Sequence, residues 1–155
     1  MSRKRVAPAV ACLALLLAGC GGVSATAKFL ARANATCVAT NRQLGALTTP
    51  GKAVVGTPAA LLTKQAALVA KEVPIDESEL HTLRTIKAPA GERGAYADAL
   101  AQARADVSLL PKIAAALRGK SKTALTSITQ QSSALSDIAV AAMKRLGLRQ
   151  CARNL

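Results

Sequence analysis

The chain has 155 residues, with 21 Lys and Arg against 8 Asp and Glu, for a net charge of +13. Hydrophobic residues make up 51%, yet there is one Phe, one Tyr and no Trp, which excludes a base-stacking platform or an aromatic ligand cage. One His and eight acids leave little material for a metal or catalytic site; the length suits one domain, and apolar content rich in Ala and Leu favours helix over strand.

The first segment reads as an address. Ser2-Arg3-Lys4-Arg5 is a basic start, and Val6 to Ala18 is apolar apart from Pro8. That run is shorter than the roughly 20 residues a spanning helix needs, so it fits a secretory signal. Leu17-Ala18-Gly19-Cys20 resembles the bacterial lipobox. The resemblance implies cleavage before Cys20 and a diacylglyceryl thioether on its sulfur, against a plain secretory peptide with a chance Cys. The plan is then a signal peptide over 1–19, a lipidated Cys and short tether over 20–26, and a helical domain over 27–155. Each buried methylene contributes about 0.8 kcal/mol, so two or three acyl chains hold such a domain on the outer face of the cell membrane. Loss of Arg3, Lys4 and Arg5 takes three of the 21 basic residues, and the remainder still carries +10.

Cys12 leaves with the signal, and Cys37 and Cys151 remain. An oxidising compartment favours a bond between them over two buried thiols. Two distant Cys and one His do not make a zinc set.

Four helical segments are predicted in order. Residues 27–47 place Leu30, Ala33, Cys37, Leu44 and Leu47 at helical spacing, with Phe29 and Val38 widening the face. Thr57-Pro58 is a helix start, and Leu61, Leu62, Leu68, Val69 and Val73 follow. Pro74 ends or kinks that helix, and Asp76 with Glu79 fits a capping box that restarts it before Leu80, Leu83 and Ile86. Pro89 opens a third segment whose seam is Tyr96, Leu100, Ala103, Val107, Leu110, Ala114 and Leu117, with Pro111 predicting a kink near Val107. Ser121 caps a fourth, with Leu125, Ile128, Ser132, Leu135, Ala139, Ala142 and Leu146 on its seam. Gly147 stops it, and Leu148 folds back as in a Schellman end. The expected fold is all-α, an up-down-up-down four-helix bundle with kinks at Pro74 and Pro111.

Residues 83–93 (Leu83-Arg84-Thr85-Ile86-Lys87-Ala88-Pro89-Ala90-Gly91-Glu92-Arg93) and 146–152 (Leu146-Gly147-Leu148-Arg149-Gln150-Cys151-Ala152) resemble small helical lipoproteins of G+C-rich Gram-positive-type bacteria. That group also tends to pair a first-helix Cys with a C-terminal one. The resemblance implies an architecture and supplies no functional residues.

Several residues could carry chemistry. His81 and Glu77, four apart, could begin a metal site, but a solvated surface pair explains them better. Glu72, Asp76, Glu77 and Glu79 are half of the acids. Paired carboxylates do glycosidic chemistry only across a cleft with one acid in an apolar pocket, and capping at a helix restart accounts for these four more simply. No nucleophile elbow, phosphate loop or C-x-x-C occurs, which argues against an enzyme. Asn34, Asn41 and Ser132 could form a polar pocket between the first and last helices, or simply set their register. Arg118, Lys120 and Lys122, and Lys144, Arg145, Arg149 and Arg153, form two basic clusters. They suit anionic lipid or wall polymer, or serve only solubility; compartment and the lack of aromatics argue against nucleic acid. No cofactor is expected. The leading reading is a lipid-anchored, non-enzymatic envelope interaction module that binds anionic lipid, wall polymer or a membrane-protein partner. The alternative is a small-ligand-binding or sensor-accessory lipoprotein with its site between helices.

Overall fold

A computed structural model describes residues 24–47 and 59–153. Cys20 and the signal, most of the tether, and the Thr57-Pro58 start lie outside the described residues. The described chain is all-helical, with no strand. The α-helices are α1 (Ala25–Gly45), α2 (Ala59–Thr85), α3 (Arg93–Val107), α4 (Leu110–Arg118) and α5 (Lys122–Arg145). Single 3-10 turns precede α3 (Ala90–Glu92) and end the described chain (Cys151–Arg153). Among the described residues no helix is long and apolar enough to cross a membrane.

Local chemistry accounts for most helix ends. The Ser24 hydroxyl accepts from the Ala27 amide at 3.1 Å, so α1 begins two residues before its predicted start. Ser121 caps α5 as expected, accepting from Ala124 at 3.4 Å. After α5 the Leu148 amide donates to Met143 O at 2.9 Å and Gly147 to Lys144 O at 3.0 Å, the paired bonds of a Schellman end. Gly147 has φ +76°, and a Cβ there would come within 3.3 Å of Leu30 Cδ2. The positive φ favours glycine, and a Cβ there would also oblige Leu30 to shift by a few tenths of an ångström. At the end of α4 the same pair of bonds forms around Lys120, not Gly119, and Lys120 takes φ +53°. A non-glycine residue in that region costs on the order of 1 kcal/mol.

Two helices depart from the expected plan. α2 is one helix through Pro74, so Asp76 is not an N-cap and the capping-box restart does not occur. Pro74 and Ala70, whose carbonyl the ring displaces, both lie at exposed positions, where water can take up the freed carbonyl. The third segment is two helices: α3 ends at Val107, and Pro111 sits in the first turn of α4, where its missing N–H costs nothing.

α2 packs along α1, α3 and α4, and α5 packs along α3 and α4. The main core joins Phe29, Ala33 and Cys37 to Leu80, Leu83, Ile86, Tyr96, Ala99, Leu100, Ala103, Ala139, Met143 and Leu148. Ala99 and Met143 are fully buried beside the expected seams. The first half of α2 buries only Ala66, and Leu61 there is 41% exposed. Phe29 and Tyr96 meet edge to face with ring centroids 4.9 Å apart, which joins the start of α1 to the start of α3.

Cys37 and Cys151 form a disulfide. It fastens the C-terminal turn to the middle of α1 across a sequence separation of 114, a loop whose closure is worth about 5 kcal/mol in the chain-entropy model. Every core residue and both cysteines fall between Phe29 and Cys151, so a chain of residues 21–155 retains all of them. Replacing both cysteines by Ala should cost roughly 4–5 kcal/mol in urea unfolding. A loss no larger than that of an ordinary surface substitution would mean the polar contacts to the turn hold it unaided.

Candidate functional site

The sequence-selected polar residues fall into two places. Asn34 and Asn41, seven residues apart on α1, both serve the C-terminal turn. Asn34 Oδ1 accepts from the Gln150 amide at 3.0 Å and its Nδ2 reaches Gly147 O at 3.5 Å, while Asn41 Nδ2 donates to Gln150 O at 3.4 Å. They flank Cys37 and aim the turn at it. Ser132 lies elsewhere: its hydroxyl donates to Asp106 Oδ1 on α3. The structure therefore does not bring Asn34, Asn41 and Ser132 to one another.

Ser132 leads, through Asp106, to a cavity of about 300 Å³ between the helices. Glu72, Asp76 and Glu79 of α2 and Asp106 of α3 enter it. Positions 72, 76 and 79 share one face of α2 because the helix is continuous through Pro74. Leu44, Leu80, Leu83, Val107, Leu110 and Met143 supply the apolar walls, and Cys151 of the disulfide closes one side. Half of the chain's eight acids thus meet in one cavity whose lining, among the described residues, contains no Lys or Arg.

The electrostatics follow from that crowding. Burial, reinforced by the negative charges of Glu79, Glu72 and Asp106, pushes Asp76 up to about 7. Burial also raises Glu72. Asp106 is raised by burial, against which the Ser132 hydroxyl acts to stabilise the charged form. Tyr96, buried and near Glu79, is pushed up to about 12, and its hydroxyl donates to Leu83 O at 2.8 Å. Near neutral pH, Asp76 is divided between its acid and carboxylate forms. The cavity can therefore exchange a proton or accept a cation.

The metal candidates fare differently. Glu79 lies with the Cys37 and Cys151 sulfurs in a group whose ligand atoms are within 4.8 Å of one another. Both sulfurs are spent in the disulfide, so the group offers no thiolate. His81 and Glu77 share a groove with Arg84 and Arg104, whose guanidinium charges disfavour a metal cation.

The two basic clusters sit at different places on α5. Arg118, Lys120 and Lys122 mark its start; Lys144 and Arg145 mark its end. Its 24 residues span roughly 36 Å. Arg149 and Arg153 belong to the tail that runs back along α1 after Gly147. The end of α5 meets the start of α1 at Leu30, and Phe29 next to it meets Tyr96. Lys28, Arg32, Arg84, Lys87 and Arg93 therefore lie at the same end of the molecule as Lys144 and Arg145, with Glu92 and Asp98 as the acids there. Sequence spacing alone could not have grouped them, because they come from four helices.

No protein-family model, curated protein or solved structure matches the chain.

The raised acids make a pH prediction. A carboxyl whose pKa is raised on folding stabilises the fold fully below its unfolded value of about 3.9. That contribution is lost as pH climbs through the folded value of about 7 for Asp76. Asp76→Asn should leave stability near pH 4 almost unchanged and raise it at pH 8 by roughly 1–2 kcal/mol, a figure reduced because the group is partly exposed and screened. The check is thermal unfolding of both proteins at the two pH values. Parallel pH profiles would remove Asp76 from this role.

Proposed function

We propose that the chain is a lipid-anchored, non-enzymatic helical bundle on the extracytoplasmic face of the cell membrane, and that it presses one basic end against an anionic envelope surface. The observation that carries this reading is the convergence of Lys28, Arg32, Arg84, Lys87, Arg93, Lys144 and Arg145 at the end where α1 begins. α1 starts at Ala25, five residues after Cys20, so a lipid on Cys20 would bring that end to the headgroups. Each Lys or Arg near such a surface contributes about 1 kcal/mol. The helix contacts support an up-down-up-down order in which α3 and α4 together make the third segment and Pro74 is the expected point of bending in α2. A wall polymer or a membrane-protein partner with an acidic face would meet the same residues.

The two clusters separate the reading from simple solubility. In the chain of residues 21–155, Lys144→Glu with Arg145→Glu should weaken co-sedimentation with phosphatidylglycerol vesicles about tenfold or more at low salt. Arg118→Glu with Lys122→Glu, at the other end of α5, should do far less. Equal losses, or no salt-sensitive binding by the parent chain, would overturn the reading.

A second reading is favoured by the acid-lined cavity: a small-ligand carrier or sensor accessory whose ligand is an organic cation with an apolar part. Four carboxylates would face the charge, and Leu80, Leu83 and Met143 the apolar part. A short alkylamine should then bind at pH 8 and lose affinity towards pH 5 as Asp76 takes up its proton. The matching alcohol should not bind, and Asp76→Asn should weaken the amine. Indifference between amine and alcohol would end this reading.

A further inference from the structure

Beside the α2–α3 turn lies a second, more open pocket of about 560 Å³. Arg84, Lys87 and Arg93 stand around it, and no Asp or Glu lines it. Its floor is apolar: Ile86, Ala88, Tyr96 and Leu100 are all buried in the core beneath. The backbone explains why three cations gather here. α2 ends at Thr85 and α3 begins at Arg93, so the link between them doubles back over the start of α3. The Arg93 Nε donates to Ala88 O at 3.4 Å and so holds the guanidinium against that link. The Tyr96 hydroxyl is occupied by Leu83 O, which leaves its ring as an apolar surface. The ring's other neighbour is Phe29 of α1, so the pocket belongs to the end of the molecule where α1 begins.

The geometry points to a site for a single anionic lipid, with a phosphate headgroup held by Arg84, Lys87 and Arg93 and the first part of an acyl chain laid on Ile86, Ala88, Tyr96 and Leu100. Charge complementarity fixes the headgroup. Arginine gives planar, paired N–H donors suited to phosphate oxygens, and Lys adds a mobile point charge. An apolar floor of buried side chains has no use for a free inorganic ion but suits an amphiphile. Membrane lipid as the source rests on the anchored reading above. The pocket's place at the tether end supplies it, since an anchored domain would hold this mouth near the headgroups. The site differs from the diffuse basic end in being saturable and in requiring both parts of the ligand.

Tyr96 is the only Tyr, and the chain has no Trp, so native fluorescence reports on this pocket directly. The chain of residues 21–155 is titrated with dihexanoyl-phosphatidylglycerol below its micelle concentration. Parallel titrations use dihexanoyl-phosphatidylcholine, glycerol phosphate and inorganic phosphate. The expected result is a saturable change in Tyr96 emission with the anionic lipid, at least roughly tenfold weaker for each of the other three. Arg84→Glu with Lys87→Glu should abolish it, and Ala97→Leu, which narrows the pocket without touching charge, should weaken it; unchanged circular dichroism confirms that both variants fold. Arg118→Glu with Lys122→Glu should leave it intact. Equal binding of the neutral lipid, equal binding of inorganic phosphate, or full binding by the Arg84/Lys87 variant would each overturn the proposal. If the short lipid fails while the parent chain still binds anionic vesicles, the pocket proposal falls and the basic-end reading stands. If vesicles also fail, both fall.

Discussion

α1 reaches the rest of the bundle through α2 and through the C-terminal turn, and the second contact is clamped by the Cys37–Cys151 bond. Three local devices bring the turn to the bond. Gly147 reverses the chain with a positive φ and leaves room for Leu30. Leu148 is driven fully into the core. Asn34 and Asn41 then receive Gln150 on either side of the cysteine. The clamp matters beyond stability because Cys151 and Leu44 form walls of the acid-lined cavity. It also fixes the start of α1 against α3 and the end of α5, which is what assembles the basic end. A core with one Phe, one Tyr and many alanines beside its leucines offers fewer large contacts per helix than one of bulkier side chains, so a covalent tie carries a larger share of the fold.

Charge is sorted along this molecule in a way its net value conceals. A chain with 21 basic residues has ample means to neutralise eight acids, yet no described Lys or Arg lines the cavity that holds four of them. Grouping carboxylates out of water costs stability unless one is protonated. Asp76, pushed up to about 7, is the group that takes the proton. The Ser132 hydroxyl acts in the opposite direction on Asp106 and favours its charged form. Burial raises both acids, and the Ser132 hydroxyl offsets part of that rise at Asp106.

The helical class, most helix ends and the disulfide were legible in the residues, because caps, a Schellman glycine and a Cys pair are local or compositional signals. The seam of α3 was legible too: Tyr96, Leu100, Ala103 and Val107 are buried as their spacing predicts. The cavity was not. Its reading turned on Pro74: a helix broken there makes Asp76 and Glu79 capping groups, while a helix continued through it puts Glu72, Asp76 and Glu79 on one face. Propensity favours the break by about 3 kcal/mol, and packing of α2 against α1, α3 and α4 outweighs it. Asp106, the fourth acid, arrives from another helix and has no sequence signal linking it to the other three. The same limit hid Arg84, Lys87 and Arg93, which fell within a segment read for family likeness and gained meaning only when the turn folded over Tyr96.

Distance decides which charges could matter to an anchored molecule. Surface fields decay over about 8 Å at physiological salt. Lys87 and Asp76 are 11 positions apart, and the ten helical residues from Asp76 to Thr85 alone span roughly 15 Å. The acidic cavity therefore lies almost two screening lengths behind the basic end and would exert little repulsion on headgroups meeting that end. Lys122 opens α5 and Arg118 closes α4 just before it, roughly 36 Å along α5 from Lys144 and Arg145. More than four screening lengths leave them no part in holding the near end to a membrane. On the anchored reading proposed above, position alone would make the near cluster the one that meets the surface, although the two look equivalent in the sequence. On that reading the acidic cavity would hold its proton or a cation independently of the surface the basic end meets.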